Sequence, residues 1–161
     1  MPPIQPLSSS LHAQSLWDFA LAFYAQPQRA NACLQLQDQY RANVCLLLGL
    51  RWLDMRNQSL SNAQLADLHL HIEGWTQQVI EPLRHLRRQL KQAFVPYMPD
   101  AAQEQLRSTI KHAELLAEKK LLIEIEAWAA RISTQPTTAS NVARYLTSLG
   151  AEHALIELIQ Q

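Results

Sequence analysis

Glycine is scarce in this sequence, with three among 161 residues. Glycine supplies the positive-φ corners of hairpins and bulges, so its scarcity, beside abundant Ala, Leu and Gln, argues for helices joined by few turns and against a sheet. Long hydrophobic runs are also missing. None, counting glycine, exceeds the seven residues of Val44–Leu50, where a membrane span needs about 20, so no membrane partner is expected. Charge of one sign is absent: 14 Lys and Arg balance 14 Asp and Glu, which excludes a generally basic nucleic-acid coat or an acidic disordered tail. Cysteine is limited to Cys33 and Cys45, with no C-x-x-C pair, and both read as reduced core residues rather than a bridge or metal site. The stretch Met1–Ser10 has three prolines and no Lys or Arg, and the apolar segment Leu16–Ala25 is interrupted by Asp18. No secretory leader is read there, and a cytoplasmic location is expected. Neither a period-two strand nor an internal repeat is visible.

What is present is helical periodicity. The fold class expected is all-α: a helical bundle with a long antiparallel helical hairpin, about residues 61–132, packed on N-terminal helices. Residues 1–9 read as a flexible tail and 10–161 as a single domain, in keeping with the length prior. Within it the N-terminal core helices span 10–58, a linker 133–140, and short C-terminal helices 141–160. Ser9 or Ser10 is placed as the cap of a first helix that is apolar nearly all round (Leu16, Trp17, Phe19, Ala20, Leu21, Phe23, Tyr24) and therefore buried. Pro27 breaks it. A second helix buries Ala32, Cys33 and Leu36. Asn43 caps a third, from Val44, which is expected at the centre of the core.

Ser61 with Gln64 is a capping-box signature. It opens a stripe of Leu65, Leu68, Ile72, Trp75, Val79, Leu83, Leu86, Leu90 and Phe94 at steps of three and four, with Pro82 expected to kink the helix. The segment Phe94–Pro99 is a stiff connector. Asp100 caps a second long helix with the stripe Leu106, Ile110, Ala113, Ala117, Leu121, Ile125 and Trp128, widened by Leu115, Leu122 and Ala129. A connector this short makes the two helices antiparallel neighbours, and their length implies that part of the hairpin projects from the other helices. Gly150 separates the two short C-terminal helices as a C′ residue.

Several of these residues form a pattern: Leu16-Trp17-Asp18-Phe19-Ala20 with Phe23-Tyr24 and Pro27; Ala32-Cys33-Leu34 with Leu36-Gln37-Asp38; Val44 with Leu46-Leu47-Leu48; then Trp75, Pro82-Leu83-Arg84, Leu86-Arg87-Arg88, Leu90 and Lys91. It resembles an uncharacterised proteobacterial family of proteins about 160 residues long, catalogued as a domain of unknown function, over roughly residues 10–95. The family carries Gly, Asp and Asn where this chain has Arg41, Asn43 and Cys45, which counts against a shared active site at that junction. The resemblance implies a mostly helical bacterial protein and no activity.

Candidate chemistry is sparse. Asp67 with His71, and His69 with Glu73, stand at i and i+4 and can touch, but no Glu-x-x-His accompanies them, so ion pairs account for them better than a metal. Ser108 and Lys111 have the spacing of an acyl-transfer nucleophile and lie mid-helix without companion motifs. No catalytic residue and no cofactor is assigned. Asp38 is expected to serve the turn at 38–43, and Asp18 to be an exposed acid or the partner of Arg51 or Arg56.

Charge distribution is more informative than its sum. Between Pro82 and His112 there are six basic residues and two acids, and the rest of the chain holds eight against twelve. Arg84, Arg87, Arg88 and Lys91 occupy one helical face. With a connector midpoint near residue 97, Arg87 is level with Arg107, and Arg84 with Ile110 and Lys111. The preferred expectation is a non-catalytic interaction protein whose basic hairpin tip (Arg84, Arg87, Arg88, Lys91, Arg107 and Lys111, with Tyr97) binds an anionic partner, RNA or an acidic protein surface. The competing account is a solvated face with Arg88 and Lys91 reaching Glu104. Two alternatives stand beside it: a small-molecule or enzymatic pocket lined by Trp17, Asp18, Asp38 and Arg51, and a homodimer formed through the long stripe.

Overall fold

A computed structural model of the chain describes residues 14–136 and 139–161. The expected tail at 1–9, and the caps expected at Ser9 or Ser10, lie outside the described residues. Helix α1 (Leu16–Tyr24) starts on Ser15, whose Oγ accepts the Asp18 N–H at 3.1 Å. It is amphipathic rather than buried all round: Leu16, Phe19, Ala20 and Phe23 face the core, whereas Leu21 and Tyr24 are exposed. Helix α2 (Pro27–Tyr40) begins with Pro27 in the first turn, where a missing N–H has no partner to lose.

Helix α3 (Val44–Met55) is capped by Asn43, whose Oδ1 accepts the Leu46 N–H at 3.1 Å. Every residue from Val44 to Leu50 is buried, with Trp52 and Leu53, and α3 packs against α1, the long helix α6 (Ala101–Arg131) and the C-terminal helix α7 (Asn141–Ser148). Gly49 permits the closest of these approaches: a Cβ built there would stand 2.7 Å from Ile125 Cγ2 of α6.

The first rod of the hairpin is α4 (Asn62–Trp75), a π-helical segment Thr76–Ile80, and α5 (Glu81–Gln89). Both bonds of the capping box form, Gln64 N–H to Ser61 Oγ and Ser61 N–H to Gln64 Oε1. The disturbance expected at Pro82 takes the form of that π segment: Glu81 N–H donates to the Thr76 carbonyl five residues back, so the ladder changes register just before the residue that has no N–H to give. Leu90 to Asp100 connects the rods, and Asp100 Oδ1 caps α6 by accepting the Gln103 N–H at 2.8 Å. At 31 residues α6 is about 46 Å long.

The helices are accompanied by one short strand pair. β1 (Gln58–Ser59) and β2 (Gln135–Pro136) form an antiparallel ladder too short to show a period of two. It lies beside a polar clamp that seats α7 on the end of α3. Asp54 accepts from Ser140 Oγ, Asn141 N–H and Val142 N–H at 2.7, 2.8 and 3.1 Å, and the buried Asn141 side chain bonds the Gln58 carbonyl and the Leu60 N–H. Gly150, at φ +75°, closes α7 in a Schellman motif: Ala151 N–H bonds Leu146 O and Gly150 N–H bonds Thr147 O. Helix α8 (His153–Gln160) then returns against α2.

The core cluster takes its last side chain from the first rod at Leu83 and resumes on α6 at Ala117. Beyond that level neither rod adds an apolar side chain to the core, although Arg88 of the first still reaches α2 through Asp38. Leu86, Phe94, Leu106 and Leu115, placed on buried stripes by their spacing, are therefore exposed. The distal hairpin projects, as its length implied.

Candidate functional site

The basic face of the hairpin is largely spent on internal ion pairs. Arg84 Nε and Nη2 donate to Glu114 Oε1 at 3.0 Å and Glu118 Oε1 at 2.9 Å, and Arg87 Nε donates to Glu114 Oε2 at 2.5 Å. Glu114 is buried. Burial also raises the Glu118 carboxyl above its ordinary value although Arg84 opposes this; burial would lower Arg84, but Glu118 and Glu114 outweigh it and hold the guanidinium charged. Arg88 Nη2 reaches Asp38 Oδ1 of α2 at 2.7 Å, and Arg107 pairs with Glu104 on its own helix at 2.7 Å.

These partners differ from those expected. The register sets Glu114 and Glu118, one and two turns further along α6, against Arg84 in place of Ile110 and Lys111. Arg88 finds Asp38 rather than Glu104, and Asp38 thus bridges two helices instead of closing its own turn. Of the six basic residues, Lys91 and Lys111 alone make no ion pair among the described residues.

The tip itself is apolar. Val95 is 92% exposed, Met98 80% and Tyr97 74%. Phe94, Leu86 and Leu106 are exposed as well. Two carbonyls that end the first rod, Leu90 O and Gln92 O, accept from the Gln103 side-chain amide at 3.0 and 2.8 Å, which ties the connector to α6.

The pocket expected around Trp17, Asp18, Asp38 and Arg51 is not assembled. Trp17 lies under Lys119, with Nζ 5.0 Å from the ring centroid. Asp18 is exposed and accepts from Ser15 Oγ at 2.7 Å, and pairs with neither Arg51 nor Arg56. Arg51 donates to the Gln160 carbonyl at 2.6 Å beside a small cleft at the Asp54 clamp. The four side chains leave α1, α2 and α3 in different directions, a fact of helix packing that spacing along the chain does not encode.

Asp38 instead joins a cleft of about 500 Å³ between the α2–α3 junction and the π segment. Its charged rim is Asp38, Arg41, Glu81, Arg84 and Arg88, with His85, and its floor includes Asn43, Val44, Cys45, Thr76 and Ile80. Asn43 Nδ2 donates to Thr76 Oγ1 at 3.0 Å and Thr76 Oγ1 to the Ile72 carbonyl at 2.9 Å, so the α3 cap and the π segment are fastened together. Arg41 holds a left-handed conformation, φ +55°, a helix-ending position that glycine fills without the roughly 1 kcal/mol cost to other residues. Arg41, Asn43, Thr76 and His85 were not singled out as one site by sequence; only their later proximity groups them.

No nucleophile is activated there. Burial pushes the Cys33 thiol up to about 12, with a Tyr24 hydrogen bond acting the other way, and burial likewise raises Cys45, so neither is a thiolate at neutral pH. Asp67 accepts from Trp128 Nε1 at 2.9 Å rather than touching His71, and Glu73 accepts from Gln77 rather than His69. Ser108 and Lys111 are both exposed on α6. Among the described residues no group of three or more His, Cys, Asp and Glu side chains gathers, and no helix is long and apolar enough to cross a membrane.

No curated protein and no solved structure matches the chain. One family pattern does, over residues 15–125, from the start of α1 through most of α6, leaving α7 and α8 outside the match. It contains the whole hairpin tip and the whole cleft. The chain belongs to the family described as "Protein of unknown function (DUF2390)".

Proposed function

We propose that this chain is a non-catalytic interaction module that docks through its projecting hairpin tip, and that the partner is a protein with an apolar groove rimmed by acidic side chains. The exposure of Val95, Tyr97 and Met98 at the end of a 31-residue helix carries the reading. Contiguous exposed aromatic and Met side chains are costly in water and are the residue types enriched at protein interfaces. Charge selects the class of partner. Arg84 and Arg87 are committed to the buried Glu114, and the carboxylates of Asp38 and Glu104 stand beside Arg88 and Arg107, so the tip lacks the uninterrupted basic surface that several phosphate contacts need. Lys91 and Lys111 remain to meet acids at the rim of a groove.

A photo-crosslinking residue at position 95, with position 34 on exposed α2 as control, tests this in the native cell. The expected result is a discrete nuclease-resistant protein adduct at 95, absent at 34 and lost when Tyr97→Asp and Met98→Asp are combined. Both side chains are exposed, so that double variant should melt as the parent does. Nuclease-sensitive adducts, equal yields at 95 and 34, or an adduct of twice the chain's own mass would overturn the proposed partner, the last in favour of a second copy.

A further inference from the structure

We propose that the cleft between the α2–α3 junction and the π segment binds a small molecule through a carboxylate or phosphate group, held by Arg41 and Arg88 with His85. The site is separate from the hairpin tip and owes nothing to the tip's role. Its volume, about 500 Å³, falls in the range of small-molecule sites, roughly 300–1,000 Å³, and exceeds what a bare ion fills, so the ligand has a body as well as an anionic head.

Three guanidinium groups converge on this cleft, and they are not equivalent. Arg84 is committed to Glu114 and Glu118 and serves as a fixed wall. Among the described residues Arg41 has no ion-pair or hydrogen-bond partner for its side chain, although it occupies a backbone conformation that only glycine adopts freely. Arg88 is held by Asp38 alone, in a pair whose side chains are 46% and 52% exposed. Exposed pairs of this kind are worth little, so an incoming anion can take the guanidinium at small cost. Bidentate guanidinium contacts to carboxylate or phosphate are among the stronger hydrogen bonds available.

The fold's treatment of its other buried helix starts agrees with this. Leu16 N–H, opening α1, donates to Glu126 at 3.0 Å. Asn141 and Val142 N–H, opening α7, donate to Asp54. At α3 the first two residues, Val44 and Cys45, are buried and line the cleft, Asn43 caps only Leu46, and among the described residues no carboxylate accepts from the Val44 or Cys45 N–H. An anionic head seated between Arg41 and Arg88 supplies what Glu126 and Asp54 supply elsewhere. Asp38 and Glu81 also line the cleft. Their charge favours a single anionic group over a polyanion.

Amide and arginine-side-chain NMR of the full chain, titrated with inorganic phosphate, with succinate, and with sodium chloride at matched ionic strength, tests the proposal. The expected result is saturable movement of the Val44 and Cys45 amides and the Arg41 and Arg88 Nε–H signals with phosphate, succinate or both, beyond the chloride response. Saturation by one alone fixes the head group. Arg41→Gln with Arg88→Gln should weaken binding by about tenfold or more, and each single variant by less, while the dispersed spectrum shows the fold retained. A chloride-like response with both probes, movement centred on other residues, or unchanged affinity in the double variant would overturn the proposal.

Discussion

The two halves of α6 carry similar apolar spacing and have opposite fates. From Glu114 to Arg131 the helix buries Glu114 under Arg84 and Arg87 of α5, and Ala117, Leu121, Leu122, Ile125 and Trp128 where it meets α1, α3 and α4, whereas from Ala101 to Ala113 it buries none. Leu106 and Leu121 both belong to the stripe. One is half exposed and the other 2% exposed. The number of neighbouring helices makes the difference: a stripe is covered only where something packs on it, and beyond Leu83 and Ala117 the core cluster takes no further side chain from the hairpin. The ion pairs follow the same division. Arg84, Arg87, Glu114 and Glu118 sit where the rods enter the bundle, with side-chain exposures from 8% to 29%, while Glu104 beside the tip is 62% exposed.

The largest effect that could break this contrast is at Glu114. Glu114→Gln leaves Arg84 and Arg87 partly buried with one carboxylate fewer, and removing one partner of a buried pair destabilises by about 3 kcal/mol. Urea unfolding should show that loss, whereas Glu104→Gln should leave the midpoint where it is. Equal midpoint shifts in the two variants would mean that the halves do not differ in their electrostatics. Next in size is Gly49→Ala. The new methyl meets Ile125 Cγ2, and overpacking of roughly 1–3 kcal/mol exceeds the helix-propensity gain of about 1 kcal/mol. A net loss of about 1 kcal/mol is expected in thermal or urea unfolding, and a more stable variant would show that the α3–α6 contact has slack.

The smallest effect is a pH dependence confined to the basal half. Burial raises the native Glu118 carboxyl above its value in the unfolded chain, so the native state binds the proton more tightly. Its contribution is full below the unfolded value, near pH 4.5, and is lost as pH rises through the raised native value. Glu118→Gln should remove this fall from the stability profile. Parallel profiles for parent and variant would place Glu118 in a better solvated setting than its burial indicates.

Local signals in the chain were readable wherever their physics is local. Asn43, Ser61 and Asp100 cap the helices that their positions announced, because an N-cap needs only a side-chain oxygen and the N–H three residues on. Gly150 ends α7 for a similarly short-range reason. The partners of the basic residues were not readable in the same way. The hairpin midpoint brought Arg84 to within one turn of Glu114, and that turn separates an exposed cation from a neutralised one. Asp38 shows the same limit at longer range: its partner Arg88 is 50 positions away, and nothing in the local pattern distinguishes that bridge from a turn bond.

Low glycine, balanced charge and three-and-four spacing by themselves determined an all-α chain with a long hairpin, since helix formation and capping depend on neighbours within one or two turns. Only the tertiary structure decided which of its charges are free, which apolar residues meet water, and where a cleft opens. Those depend on which helices share a contact. The zero net charge is thus resolved into pairs: among the described residues most cations of the hairpin are matched inside the molecule, whereas Lys91 and Lys111 near the apolar tip and Arg41 at the mouth of the cleft make no ion pair.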